Sequence, residues 1–169
     1  GYHYYALDIS DPDAPKMLWK IGKTSGGDFD ELGQTWSRPR IRNMAWEDTN
    51  GDSVIDINDS QPVMIFGGGY DGGGPDGKSK DDYEDLLDSD NTSTTAPVCI
   101  NAKNQYIDDE GNALFIVDAM DGSLIWKAVR TGTASDSLYP NAALKDSIPS
   151  DVTPVDSDSD GLVDLLYVA

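Results

Sequence analysis

The sequence has very few of the residues that build catalytic and zinc centres. Among its 169 residues there is one cysteine, Cys99, and one histidine, His3. A single cysteine cannot form a disulfide within the chain, so Cys99 either pairs with a residue outside it or is a free thiol. One histidine excludes a histidine-based catalytic or zinc site. No nucleophile and base stand in a recognisable arrangement, so we expect a protein that is not an enzyme.

Basic residues and long apolar runs are also scarce. Twelve Lys and Arg stand against 31 Asp and Glu, which gives a formal net charge of −19. Such acidity disfavours nucleic acid and anionic membrane surfaces, and it suits a cation-rich environment outside the cytoplasm. There is no signal peptide and no run of about 20 apolar residues, so we expect no direct membrane insertion. The chain opens directly on a strand-like segment, which indicates a fragment of something longer.

Glycine and proline are plentiful by comparison. Seventeen glycines and nine prolines predict many turns and short strands, and no long segment keeps an apolar period of 3.6 residues. A hydrophobic content of 38% is enough for one core. We therefore expect an all-β protein in which residues 1–169 form a single domain fragment.

One acidic stretch, residues 156–164, has the pattern of a calcium loop. Ca²⁺ takes six to eight oxygen ligands at about 2.3–2.6 Å, and a tight loop offers them from alternate residues. Gly161 permits the sharp turn at position 6. An EF-hand would have glutamate at position 12, where this chain has Tyr167, and apolar residues follow, so the loop is predicted to join two strands. The expected ligands are Asp156, Asp158, Asp160, the backbone carbonyl of Leu162, and Asp164.

A second acidic stretch, residues 48–59, repeats the pattern less well. Position 6 is Ser53 rather than glycine, and Gly51 comes two residues early. Because a non-glycine residue rarely adopts positive φ, we expect this loop to relax or to bind Ca²⁺ more weakly. The alternative is a polar hairpin without metal. The candidate ligands are Asp48, Asn50, Asp52, Val54, Asp56 and Asp59.

The chain contains one long internal repeat. A strand–turn–strand segment at 4–22 returns at 113–129, with Trp19 and Trp126 at matching places, and the two acidic loops are separated by nearly the same spacing. The whole unit has four predicted strands, near 36–46, 61–68, 112–118 and 123–129. A repeated four-stranded antiparallel unit is typical of a β-propeller blade. We therefore predict a portion of a β-propeller: one four-stranded blade and two half blades, with long loop insertions.

Several segments outside these strands have simpler interpretations. Residues 69–111 form an acidic loop insertion, and residues 130–147 form a connector. The two repeated tryptophans are expected to pack in the core between blades. Three arginines, at 38, 40 and 42, alternate along a predicted strand. They either line a channel or pair with the acidic loops.

The order of motifs resembles a known family. In chain order the motifs are Arg38-Pro39, the acidic loop after it, and the segments 63–71, 113–119 and 122–126. Together they are similar to the C-terminal propeller of the PilY family, the type IV pilus tip adhesins and biogenesis factors of Gram-negative bacteria. The resemblance implies a modified β-propeller with a Ca²⁺ loop of the Asp156–Asp164 type that controls pilus extension and retraction. It also implies an extracellular place at the pilus tip or outer-membrane surface, reached through the periplasm. Its expected partners are pilus proteins (minor pilins) and a host or abiotic surface. The loop at Asp48 is not implied by the family.

Two other classes have related motifs. The segment 121–126 is similar to the repeats of quinoprotein dehydrogenases, which would make the chain part of an enzyme, but vicinal cysteines and a histidine cluster are absent from the sequence. The Asp156–Leu165 segment is similar to the loops of integrin-like calcium propellers. The repeats of those propellers are shorter than the spacing between Asp48 and Asp156.

Overall fold

The computed structural model describes residues 1–23, 27–71 and 110–169. Within these ranges the protein is all-β, with a single 3₁₀ turn at Ile57–Asp59 as its helical element. The same ranges contain no helix that is long and apolar enough to cross a membrane. Cys99 and most of the predicted insertion at 69–111 lie outside the described residues.

Among the described residues, nine strands form three sheets. Their bounds are β1 His3–Asp8, β2 Lys16–Gly22, β3 Arg40–Met44, β4 Gln61–Gly67, β5 Ala113–Asp118, β6 Leu124–Val129, β7 Leu138–Pro140, β8 Thr153–Val155 and β9 Leu165–Tyr167. The hairpins β1–β2 and β8–β9 are separate two-stranded sheets, and the central sheet has the order β3-β4-β5-β6-β7.

The four predicted strands of the whole unit are confirmed as β3 to β6. Each pairs with the next in antiparallel register, for example Ile65 with Ile116. The first of them is shorter than expected, because it begins at Arg40 rather than near Trp36. Pro39 has no backbone N–H to give to the ladder, which explains why pairing starts just after it.

The prediction of a plain connector at 130–147 is wrong in one respect. Leu138–Pro140 forms β7, which pairs in parallel with β6 between Lys127 and Val129. This strand covers the outer edge of β6 and so satisfies backbone groups that would otherwise be left open. A three-residue strand that ends in proline has no alternating pattern, so the sequence did not reveal it.

The internal repeat is visible in strand irregularities. In the hairpin β1–β2 the register shifts between Ala6 and Leu7, and Ala6 pairs with Trp19. In β5–β6 the shift comes between Ile116 and Val117, and Ile116 pairs with Trp126. Both bulges therefore occupy the same place beside the repeated tryptophan. Because bulges depend on local backbone geometry, this agreement shows that the two hairpins are structurally equivalent.

One face of the central sheet packs against β1–β2. The cluster on this side includes Phe66 and Phe115, both fully buried, together with Tyr4 and Ile21 from the hairpin. The Tyr4 and Phe66 rings lie 4.5 Å apart between centroids. Trp19 packs against the same cluster and donates from Nε1 to the carbonyl of Ala119 at 3.1 Å, which supports the expected packing role.

The opposite face packs against β8–β9. Its buried residues include Val63, Ile65 and Val152, and Leu166 of β9 lies against them. Trp126 is half-buried on this side and stacks on Tyr139, with centroids 6.4 Å apart. The central sheet therefore lies between two hairpins, with side chains alternating between its faces as strand geometry requires.

The arginines do not follow either alternative given above. Arg40 forms an ion pair with Asp151 at 2.9 Å, and the backbone N–H of Arg38 donates to the same carboxylate at 2.8 Å. Arg42 donates to the neighbouring carbonyl of Ile41. Asp151 precedes β8 and lies outside both acidic loops, so these contacts hold the C-terminal hairpin beside β3.

Glycines allow two backbone segments to touch at one end of the sheet. Gly69 has φ +94°, and a Cβ placed there would lie 1.9 Å from the carbonyl oxygen of Gln34. Gly111 has φ +77°, and a Cβ there would lie 2.4 Å from the oxygen of Gly69. No other residue type fits these positions without displacing backbone.

Candidate metal centre

The first acidic loop is folded by its own first aspartate. Both carboxylate oxygens of Asp156 accept backbone bonds, from Ser159 N at 2.7 Å and from Gly161 N at 2.9 Å. These two residues have φ of +67° and +94°. An aspartate that bonds to the backbone ahead of it is the usual device for a tight acidic turn. The loop conformation is therefore set by contacts within the loop.

Three carboxylates of this loop converge. Asp156, Asp158 and Asp164 each have an oxygen within 4.8 Å of the other two, and all three side chains are exposed. An ion between three such atoms is at most about 2.8 Å from each, close to the Ca–O distances of about 2.3–2.6 Å. Asp160 stands outside this group of three, and its Oδ1 accepts from Leu162 N at 2.8 Å. The geometry and the oxygen donors suit a hard cation.

Asp164 is held by the residue after Asp156. Ser157 donates from its hydroxyl and its backbone N–H to the same oxygen of Asp164, each at 2.7 Å. The hydroxyl bond, followed by the backbone bond, lowers the pKa of Asp164 below its ordinary value. Asp164 is therefore ionised at neutral pH, as a cation ligand must be. The neighbouring Val163 donates to the carbonyl of Asn43 at 3.1 Å, which ties the loop to β3.

The second acidic loop has the same opening turn. Asp48 accepts from Gly51 N at 2.6 Å and from Ser53 N at 2.8 Å, three and five residues ahead, as Asp156 does. Gly51 and Ser53 have φ of +82° and +68°. Position 4 is glycine here and serine in the first loop, and position 6 is serine here and glycine there. Both positions have positive φ in each loop.

The similarity continues along the loop. Asn50 accepts from Asp52 N at 2.9 Å, and Asp52 accepts from Val54 N at 2.8 Å, matching the bonds that Asp158 and Asp160 accept. Our reason for expecting a relaxed second loop was therefore wrong, because Ser53 adopts positive φ there. The remaining chemical difference at these positions is Asn50, a neutral ligand where the first loop has a carboxylate.

Asp59 closes the second loop as Asp164 closes the first. It is fully buried and accepts from Thr49 N at 2.7 Å, Thr49 Oγ1 at 2.9 Å, Asn50 N at 3.2 Å and Asp56 N at 3.1 Å. Burial raises the pKa of Asp59, but the bonds from Thr49, Asp56 and Asn50 outweigh it, and the net pKa lies below the ordinary value. Asp56, predicted at position 9, caps the 3₁₀ turn by accepting from Asn58 N at 2.8 Å.

Two positions that hold the closing carboxylates were missed in the sequence. Ser157 and Thr49 each follow the first aspartate of their loop, and each bonds its hydroxyl to the closing carboxylate. A hydroxyl residue at position 2 of both loops was the available signal. The structure thus brings together three of the predicted ligands in the first loop, and gives the second loop the same backbone framework.

Comparisons with known proteins give the following relatives. No protein-family model matches the chain. Over 69 residues, 39% of the chain, it is 32% identical to the type IV pilus biogenesis factor PilY1 of two strains of Pseudomonas aeruginosa, and the match spans 6% of that protein. The crystal structure of the Pseudomonas aeruginosa PilY1 C-terminal domain matches with a TM-score of 0.50 and 19% identity, covering 99% of this chain and 22% of that one. The chain therefore resembles PilY1 in sequence over part of its length, and part of the PilY1 C-terminal domain in its all-β fold.

Proposed function

We propose that this chain is a non-enzymatic, calcium-binding segment of a type IV pilus biogenesis or adhesion protein. The observation that carries the proposal is the pair of acidic loops. They lie one repeat apart in the sequence, share one pattern of hydrogen bonds, and in the first loop present three carboxylates within 4.8 Å. Two loops with the same conformation at matching places of a repeat indicate a shared task.

Calcium fits these loops better than magnesium. The candidate ligands are all oxygens, and the first site is exposed, so backbone carbonyls and water are able to complete a coordination shell of six to eight oxygens. Mg²⁺ requires near-octahedral geometry at about 2.0–2.1 Å and gives up its water reluctantly. Without a cation the three ionised carboxylates repel one another, so a divalent ion relieves a strain that the fold creates.

The bound ion would stabilise the connection between β8 and β9. Asp156 directly follows β8, Asp164 directly precedes β9, and Val163 anchors the loop to β3. An ion that binds the folded loop alone stabilises it by RT ln(1 + [L]/Kd), about 2.7 kcal/mol at a concentration 100 times Kd. Filled and empty loops would present different surfaces, which offers a way for calcium to tune pilus function or attachment.

The pilus assignment has separate support. PilY1, which is matched in sequence over part of this chain, is named as a type IV pilus biogenesis factor, and part of its C-terminal domain has a similar fold. The repeated four-stranded unit and its two flanking hairpins are what a segment of a β-propeller would contain. On this basis we propose an extracellular place at the pilus tip or outer-membrane surface, with minor pilins and an external surface as partners. The comparisons favour neither an integrin-like adhesin nor a quinoprotein enzyme.

Metal binding is tested by titration calorimetry and native mass spectrometry. We expect two calcium ions per chain, with much weaker heat of binding for magnesium. Asp52→Ala should remove one binding event and leave the other, while Asp13→Ala, which removes a charge from an exposed turn, should leave both. Equal heats for the two cations, or no binding at all, would overturn the calcium proposal.

The pilus role is tested in the bacterium that encodes the chain. Asp160→Ala should change pilus-dependent attachment or motility across a range of calcium concentrations without abolishing secretion. If Asp160→Ala weakens calcium binding in titration, yet cells with this variant attach and move like the wild type at every calcium concentration, the ion is structural only.

A further inference from the structure

The first acidic loop, residues 156–164, is supported from outside in its second half. Bonds within the loop set the turn as far as Gly161. Beyond that point the backbone N–H of Val163 donates to the carbonyl of Asn43 in β3 at 3.1 Å. Val163 also packs against the apolar cluster that Trp46 joins. The end of the first loop is therefore attached to the segment that leads into the second acidic loop.

The bond to Asn43 fixes the direction of one predicted ligand. The N–H of Val163 and the C=O of Leu162 belong to one peptide group, which is planar. The described residues contain no cis peptide bond, so this carbonyl points away from the N–H and from Asn43. Leu162 supplies the expected backbone ligand of the first loop. Because a backbone ligand cannot turn without its peptide, β3 controls the direction of this one.

A second support comes from the 3₁₀ turn Ile57–Asp59 of the second loop. A Cβ built on Gly161 would lie 3.5 Å from Cδ1 of Ile57, which is an ordinary van der Waals separation. Gly161 directly precedes Leu162. The side chain of Ile57 therefore lies beside the first loop where the ligand peptide begins, and the two acidic loops are neighbours in space.

The turn that carries Ile57 is held by hydrogen bonds of the chain itself. Asp59 is fully buried. Its carboxylate accepts bonds from Thr49, Asn50 and Asp56. Asp56 caps the same turn. Because breaking these bonds would leave a buried charge without partners, the turn keeps its place whether or not the second loop holds an ion. Ile57 is thus a fixed support for its neighbour.

We propose that Ile57 is a positioning residue for the calcium site of the first loop. It restricts the peptide that presents the Leu162 carbonyl from one side, and the bond from Val163 to Asn43 restricts it from the other. The second loop then has a task toward the ion of the first loop, in addition to any ion of its own. The inference rests on the proposed calcium binding and names a residue outside the loop that sets its affinity.

Loss of this support should lower calcium affinity by letting the empty loop adopt more conformations. The apparent affinity falls with the fraction of empty chains whose loop is ready to bind. Removing an outer-shell partner of a metal ligand usually lowers metal affinity by about 10–100-fold. Ile57 acts through van der Waals contact and is 47% exposed, so we expect the low end of that range, about tenfold, for Ile57→Ala.

Titration calorimetry with calcium chloride compares two identical substitutions in the second loop. Ile57→Ala should weaken the binding event of the first loop, which is identified as the event that Asp158→Asn weakens. Ile55→Ala removes the same atoms from a side chain that is 55% exposed, and it should leave that event unchanged. Ile57→Leu keeps the apolar volume and should bind calcium more tightly than Ile57→Ala.

Hydrogen exchange in EDTA separates positioning from a general loss of fold. Ile57→Ala should speed exchange at the amides of Gly161 and Val163, which lie on either side of the ligand peptide. The amides of β4 and β5 should stay as protected as in the wild type.

The possible outcomes distinguish this inference from the calcium proposal. Equal calcium affinity in Ile57→Ala and Ile55→Ala overturns the inference alone, as does Ile57→Leu binding as weakly as Ile57→Ala. Faster exchange throughout β4 and β5 of Ile57→Ala also rejects it, because the lost affinity would then come from a damaged fold. A wild-type chain that binds no calcium overturns both proposals.

Discussion

The substitution Asp158→Asn isolates the contribution of one charge to the first calcium loop. Asp158 Oδ1 accepts a bond from Asp160 N at 3.2 Å, and an asparagine oxygen can accept the same bond, as Asn50 does from Asp52 N at 2.9 Å. The loop conformation should therefore survive. What is lost is one carboxylate from the group of three that lies within 4.8 Å.

The expected loss of affinity follows from electrostatics. The site is exposed, so water sets the dielectric constant. A unit charge and a doubly charged ion about 2.8 Å apart in water interact by about 3 kcal/mol. Since 1.4 kcal/mol corresponds to a factor of ten in affinity, Asp158→Asn should weaken calcium at the first loop by about a hundredfold.

Titration calorimetry provides the measurement and its internal reference. The binding event of the second loop should keep its affinity in Asp158→Asn, because that loop lies one repeat earlier in the sequence and closes on its own carboxylate, Asp59. Asp13→Asn removes the same charge from a remote turn and should have little effect. If Asp158→Asn and Asp13→Asn change calcium affinity equally, the first loop is not the metal site.

Three further predictions concern the second loop, pH and the core. Asn50→Asp should tighten the weaker binding event in the same titration by restoring the missing charge, and no change would place that event elsewhere. The metal-free chain should lose stability as pH falls below about 4. The pKa of Asp164 is lower in the folded chain than its ordinary 3.8, so the ionised carboxylate stabilises the fold and protonation removes that stabilisation. In urea unfolding from about pH 5 to about pH 2, Asp164→Asn should lose less stability than the wild type, and an equal loss would contradict this. Phe66→Ala should lower the free energy of unfolding in urea by about 3–5 kcal/mol, since the ring is fully buried against Phe115. The exposed control Met120→Ala should change it by no more than about 0.5 kcal/mol. Similar losses in the two variants would contradict the described core.

The acidic loops and most strands were predictable from local pattern. Alternate aspartates with a nearby glycine restrict the backbone to one kind of turn, because the first three of these side chains in the first loop accept from N–H groups two to five residues ahead. The strands that follow the loops are short apolar runs, and the repeat places them at one spacing. These features depend on neighbours in the sequence, so the sequence alone carries the information. Calcium binding itself and the propeller arrangement remain predictions.

Tertiary structure decided the features that depend on distant partners. β7 exists because β6 offers it an edge, and Arg40 pairs with Asp151 because β8–β9 packs beside β3. Sequence spacing assigned Asp56 to the second loop's ninth position, yet buried Asp59 accepts the closing bonds, since the chain turns once more before it reaches β4. Local hydrogen bonds fix the shape of each loop and hairpin, but which faces and edges meet is determined by packing between segments far apart in the chain.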